Sequence, residues 1–171
     1  DHQTPDGTVG DACITTQPGL ACTIMVADCL PVLFTHQTGS VVAAAHAGWR
    51  GLAGDALGLG VLENTLDAVI AAAARQQPGC SKAETLDGIQ VWLGPCIGPT
   101  SFEVGPEVRQ AFVDRRSAAH VCFKEAPGSN ALTGKWLADL AALARQRLQA
   151  LGVHQIGGND SSIAWCTVEN D

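Results

Sequence analysis

Apolar positions along this chain fall into two kinds of pattern, short continuous runs and longer stretches of helical spacing, with Gly and Pro between them. Leu20 to Val26 (LACTIMV), opened by Pro18-Gly19, reads as a buried strand. Pro31 breaks the line, and Val32 to Thr35 reads as a second strand. Thr38-Gly39 suits a hairpin turn, and Ser40 to Ala47 (SVVAAAHA) is a third strand, so strands two and three are expected as antiparallel neighbours. From Asp55 to Gln76, Leu57, Val61, Leu62, Leu66, Val69, Ile70 and Ala73 recur at helical spacing, up to the stop at Pro78-Gly79. Gly58 and Gly60 weaken the first turns of that helix. Ile89 to Leu93 predicts a strand running into Gly94-Pro95. Pro106 to Asp114 predicts a short helix with Pro in its first turn, and Val121 with Phe123 a short strand. Lys135 to Leu151 predicts a helix with Leu137, Leu140, Ala141, Ala144 and Leu148 on one stripe and Gly152 as its stop. Val153 to Ile156 predicts a last strand, and Pro5, Gly7 and Gly10 an opening loop. Mixed helices and strands with one antiparallel hairpin give an α/β domain with a mixed sheet, expected to occupy residues 1–171 as one unit.

Composition narrows the function classes. The 171 residues suit one domain and can bury a core without disulfides or a structural metal. A net charge of −7 and no basic run argue against nucleic acid, whose binders replace counterions with Lys and Arg. A small anion remains compatible, because one placed Arg binds a phosphate against a negative global charge. The seven cysteines are odd in number, irregularly spaced and without a CxxC pair, so most read as reduced apolar residues. No signal peptide and no apolar run of membrane-spanning length is visible, so no membrane partner is expected and the cytoplasm is the expected compartment. The ends, DHQTPDGTVGD and CTVEND, do not look like natural termini, and segments beyond both are expected.

The reactive side chains sit at the ends of the apolar runs. Cys29 immediately precedes the second strand and His46 lies near the close of the third, so the hairpin brings them together. A thiolate and an imidazole at one place suit Zn²⁺, and they equally suit a Cys–His nucleophile pair. Two groups alone do not separate these, and a buried apolar cysteine or a hydrogen-bonded core histidine is the plainer reading of each. Arg50, flanked by Gly48 and Gly51, can grip a phosphate or carboxylate, or stack on Trp49 at the surface. Asp28 can orient His46, accept from a ligand, or serve as a turn residue. The rigid loop GPCIGP, Gly94 to Pro99, either lines a pocket or makes a structural corner. The loop from Gly157 to Asp160 has the same ambiguity, and His2, His36, His120 and His154 read as surface or turn residues.

Taken together, ADCLPVLF, AAHAGWRG, WLGPCIGPTSFEVG and LARQRLQALGV, with GDACIT at Gly10 to Thr15, resemble the laccase-domain family, once called multicopper polyphenol oxidases. Bacterial members are also described as purine nucleoside phosphorylases and as a peptidoglycan editing factor. The resemblance implies a single-domain α/β fold with mixed sheets packed between helices. It implies a zinc ion held by the Cys of ADC, here Cys29, by the His of HAGWRG, here His46, and by a third His expected before residue 1. It implies phosphorolysis of purine nucleosides, with adenosine deamination in the same site, and hence a purine nucleoside and phosphate as small-molecule partners. Arg50 is then a candidate for phosphate binding and charge stabilisation, Asp28 for orientation, and Gly48, Gly94 and Gly98 for the substrate-binding backbone. Three other activities compete: a peptidoglycan-precursor editing hydrolase, a copper-dependent polyphenol oxidase and a Cys–His thiol hydrolase. The second ranks low, because five His without an HxH pair are few for multicopper chemistry, although copper can enter a zinc site.

Overall fold

A computed structural model describes residues 8–130 and 134–169 of the chain. Five strands form one sheet in the order β1-β3-β2-β4-β8: β1 is Ala12–Thr15, β2 Leu30–His36, β3 Val42–Ala47, β4 Ile89–Leu93 and β8 Gln155–Gly158. Only β4 and β8 pair in parallel, so the sheet is mixed as expected. A second, antiparallel sheet in the order β5-β7-β6 comprises β5 (Glu103–Val104), β6 (Phe123–Glu125) and β7 (Trp136–Ala138).

The alternation along the strands decides which face is covered. Leu30, Val32 and Phe34 of β2 and Ile89, Val91 and Leu93 of β4 point into the core. Against that face lies α2 (Val61–Gln76), which buries Leu62, Leu66, Val69 and Ala73, and α5 (Leu140–Ala150) packs beside it. The remaining helices are α1 (Trp49–Ala53), α3 (Lys82–Asp87) and α4 (Pro106–Val113). One apolar cluster joins both sheets, from Val32 and Phe34 to Val104, Phe123 and Ala138. The opposite face of the large sheet carries Leu33, Val42 and Trp92, each part-exposed.

A buried ion pair ties the helices together. Arg147 of α5 places Nη2 2.7 Å from Glu63 Oε1 in α2, and the same Nη2 donates to the Gly58 carbonyl at 2.7 Å. Glu63 Oε2 in turn accepts from the Gly60 N–H at 3.0 Å, closing the N-terminus of α2.

Several elements differ from the sequence reading. Leu20 to Val26 is not a strand: the residues run in coil with Met25 almost fully exposed. The long helix begins at Val61, not Asp55. Asp55 accepts from Leu57 N–H and Leu59 N–H in a turn, with Gly54 and Gly58 at positive φ. Trp136–Ala138 is β7, and α5 starts only after Asp139, whose carboxylate caps Ala142 N–H at 2.8 Å. Val121 lies in a 3₁₀ turn, Ser117–Cys122, that precedes β6. His36 is buried, with Nδ1 2.7 Å from Thr38 Oγ1, and is no surface residue. His2, Pro5 and Gly7 lie outside the described residues.

Candidate active site

The β2–β3 hairpin sets the geometry. Its register pairs Leu30 with Ala47 and Pro31 with His46, so Cys29 lies beside the end of β3. The chain then turns at Gly48, the N-cap of α1. A Cβ built on Gly48 would stand 3.1 Å from Cys29 Sγ and 3.6 Å from His46 Nε2. The sulfur and the ring nitrogen therefore face one small space, which stays open because residue 48 has no side chain.

His46 is oriented by Asp11, a residue not singled out in the sequence. Its backbone N–H donates to Asp11 O at 2.7 Å, and Nδ1 lies 3.2 Å from Asp11 Oδ1. A carboxylate only accepts, so the proton sits on Nδ1 and the Nε2 lone pair is left free on the side of the ring near Gly48. Asp11 is the Asp of the GDACIT segment, so the signal was present, but without strand pairing nothing connected it to a residue 35 positions on. Asp28 does not orient His46: its Oδ1 accepts from Thr167 Oγ1 at 2.6 Å, and its carbonyl accepts from Ile97 N–H at 2.9 Å.

Electrostatics around the thiol are unfavourable to a free thiolate. Partial burial first, then the carboxylates of Asp28 and Asp11, raises the Cys29 pKa above the ordinary thiol value. A cysteine nucleophile needs a shift in the other direction, whereas a bound cation would offset this acidic surrounding. Nitrogen and sulfur donors with a carboxylate behind the imidazole match the ligand chemistry of a soft or borderline divalent ion. The pair supplies two donors. Among the described residues, no three His, Cys, Asp or Glu side chains gather closely enough to hold a metal ion by themselves.

A cavity of about 450 Å³, within the range of small-molecule sites, is lined by neither Cys29 nor His46 and meets the pair through Asp11. Asp11 and Arg50 lie at its wall with Asn64, and Ile14, Leu59 and Val61 give it apolar sides. Arg50 is exposed, and its guanidinium stacks 4.4 Å from the Trp49 ring centroid. Asp11 thus touches both the imidazole and the cavity.

The two loop glycines are held by packing. A Cβ on Gly94 would come within 2.6 Å of Pro31 Cγ and 2.9 Å of Trp92 Cζ3, and one on Gly98 within 2.9 Å of Cys166 Sγ. Asn159, buried after β8, donates to Gly94 O at 3.0 Å and fixes the same loop.

The family profile described as multi-copper polyphenol oxidoreductase laccase matches residues 2–171. A purine nucleoside phosphorylase of Pseudomonas aeruginosa is 49% identical over 148 residues, 86% of this chain and 52% of that protein. An adenosine deaminase from an unknown prokaryotic organism is 35% identical over 143 residues, 84% of this chain and 47% of that protein. The crystal structure of a Neisseria meningitidis protein superposes with a TM-score of 0.72 at 42% identity, covering 92% of this chain and 54% of that one. The chain spans about half the length of each of these three proteins.

Proposed function

The chain belongs to the laccase-domain family, and from that premise we propose that it carries the metal-binding half-site and phosphate-side wall of a zinc-dependent purine nucleoside phosphorylase that also deaminates adenosine. The observation that carries this reading is the shared opening between Cys29 Sγ and His46 Nε2, kept clear by Gly48 and joined through Asp11 to the cavity at Arg50. Curated relatives named for these two activities support it.

Cys29 and His46 would hold the ion, with further donors from outside the described residues. When bound, zinc supplies Lewis acidity toward a ligand oxygen or nitrogen. Every other role falls to side chains of this chain. Arg50 binds the phosphate dianion and keeps it near the sugar, where a phosphate oxygen bonds to C1′ as the C1′–N9 bond breaks. The base leaves with the bonding pair and takes up a proton, and ribose 1-phosphate forms. Positive charge at Arg50 holds the nucleophile as charge redistributes. Asp11 keeps its proton bond to His46 Nδ1 throughout. Asp28 braces the Cys29 turn against the C-terminal segment through Thr167, and Gly94 and Gly98 hold the adjoining loop in place.

The competing readings differ in what they require. A thiol hydrolase needs Cys29 as an activated nucleophile, against the direction of its pKa shift. The editing hydrolase and the copper oxidase would use the same two donors with other substrates. The deciding experiment measures zinc and copper content and inosine turnover in the full-length protein, with and without phosphate. Phosphate-dependent release of ribose 1-phosphate, lost together with zinc in Cys29→Ala and His46→Ala, supports the proposal. Turnover that persists in both variants, or free ribose formed without phosphate, overturns it.

A further inference from the structure

A pair of thiols lies at the edge of the cavity just described. Cys13 is on β1, and Cys22 is in the coil that follows it, with eight residues between them. A turn at Gln17 to Leu20, closed by Leu20 N–H to Gln17 O at 3.3 Å and using Gly19 at φ +82°, reverses the chain and returns Cys22 to β1. Two hydrogen bonds fix the approach. The Cys13 thiol donates to the carbonyl of Thr23, the residue after Cys22, at 3.6 Å. The Cys22 thiol donates to Val42 O at 3.6 Å, and Val42 is the register partner of Thr15, two residues from Cys13. The two thiols are close enough for Cys13 to act electrostatically on Cys22. Both are partly exposed, unlike the buried Cys96, Cys122 and Cys166.

We propose that Cys13 and Cys22 are a reversible dithiol modification site, which closes to an intramolecular disulfide when it meets a low-molecular-weight disulfide such as oxidised glutathione. The anchorage of Cys13 to the Thr23 carbonyl and of Cys22 to the Val42 carbonyl brings the two side chains together against β1 and β3 before any chemistry occurs. Burial first, and then the neighbouring Cys13, push the Cys22 thiol up to about 11, so Cys22 keeps its proton and serves as the resolving thiol. The Cys13 thiolate forms a mixed disulfide with one glutathione sulfur and expels glutathione thiolate. That step removes the Cys13 charge, one of the causes that held the proton on Cys22. Cys22 then gives up its proton, attacks the Cys13 sulfur and expels the second glutathione. The two protein thiols are oxidised, one glutathione disulfide is reduced, and two glutathiones are released. The product ties the coil after β1 to the strand whose Cys13 lines the cavity beside Arg50.

The test is differential alkylation of the folded protein after incubation with oxidised glutathione. Free thiols are blocked with iodoacetamide, the protein is reduced with dithiothreitol, and the released thiols are labelled with N-ethylmaleimide and located by fragment-ion mass spectrometry. The expected result is maleimide on Cys13 and Cys22 together, with a mass loss of two hydrogens and no glutathione before reduction. The pairing should disappear in Cys13→Ser and in Cys22→Ser and persist in Cys29→Ser. Phenylarsine oxide, which bridges adjacent thiols, should protect the same two residues from iodoacetamide. Iodoacetamide on both residues after oxidation, a lasting glutathione adduct on Cys13 beside a free Cys22, or pairing of either with Cys29 would each overturn the proposal.

Discussion

His46 Nδ1 and Asp11 Oδ1 stand 3.2 Å apart across 35 residues of sequence, and this contact fixes the imidazole whose Nε2 shares the space at Gly48 with Cys29. A carboxylate behind a metal-binding His raises the basicity of the opposite nitrogen and fixes its tautomer. Asp11→Asn keeps the shape and removes the charge. It should weaken zinc affinity by about 10–100-fold while leaving the fold intact, as measured by chelator competition alongside far-ultraviolet circular dichroism. Unchanged affinity would show that Asp11 serves only β1.

Gly48 sits at φ −69°, a conformation open to any residue, so its requirement is spatial. Gly48→Ala should therefore fold normally and lose metal, because the new methyl stands 3.1 Å from the Cys29 sulfur. Elemental analysis together with an unfolding midpoint separates that result from a general loss of structure.

Arg50→Ala removes a charged donor from the cavity wall. A charged hydrogen bond contributes about 1.5–3 kcal/mol, so KM for phosphate should rise about ten- to hundredfold, with KM for inosine little changed. A rise in the inosine value alone would place Arg50 on the base side instead.

Glu63 and Arg147 are nearly inaccessible, and removing one of them strands the other. Arg147→Met should cost about 3–5 kcal/mol in urea unfolding, whereas Glu63→Leu combined with Arg147→Met should recover much of that loss. Additive losses in the double variant would mean that the pair is not coupled.

Alkaline stability should follow the buried cysteines. Burial, with Asp139 adding to it, pushes Cys96 up to about 12 and Cys122 up to about 11. Between the ordinary thiol pKa and those values the unfolded chain has released these protons and the folded chain has not, so stability falls as pH rises through that window. Below it, both states hold the protons and the stability is fully present. Cys122→Ala should move the alkaline unfolding midpoint upward, and an unmoved midpoint would assign the transition to other groups.

Much of the fold was legible where pattern and burial agree. The strand Ile89–Leu93 falls where alternation places it, and the β2–β3 hairpin follows from Thr38-Gly39. Apolar runs misled where composition was not matched by pairing. LACTIMV has the composition of a strand, but it runs in coil beside the edge strand β1. Leu137 fits a helical stripe, yet β5 and β6 both recruit Trp136 and Leu137 as a strand, and only the cap at Asp139 marks where the helix begins. Cys29, His46 and Arg50 could be singled out because a hairpin is a local device. Asp11 could not, because its partnership depends on the pairing of β1 with β3, which sequence spacing does not encode.

The pairing of Pro31 with His46 makes the chemistry depend on a count of residues. Side chains along a strand alternate between the two faces, so a single residue inserted at the Gly39 turn and absorbed as a register slip would swing the imidazole to the far side of the sheet. Loop insertions are usually among the mildest changes a protein can accept. Here the length of a tight reversal, more than ten ångströms of strand away, decides whether nitrogen and sulfur meet at all.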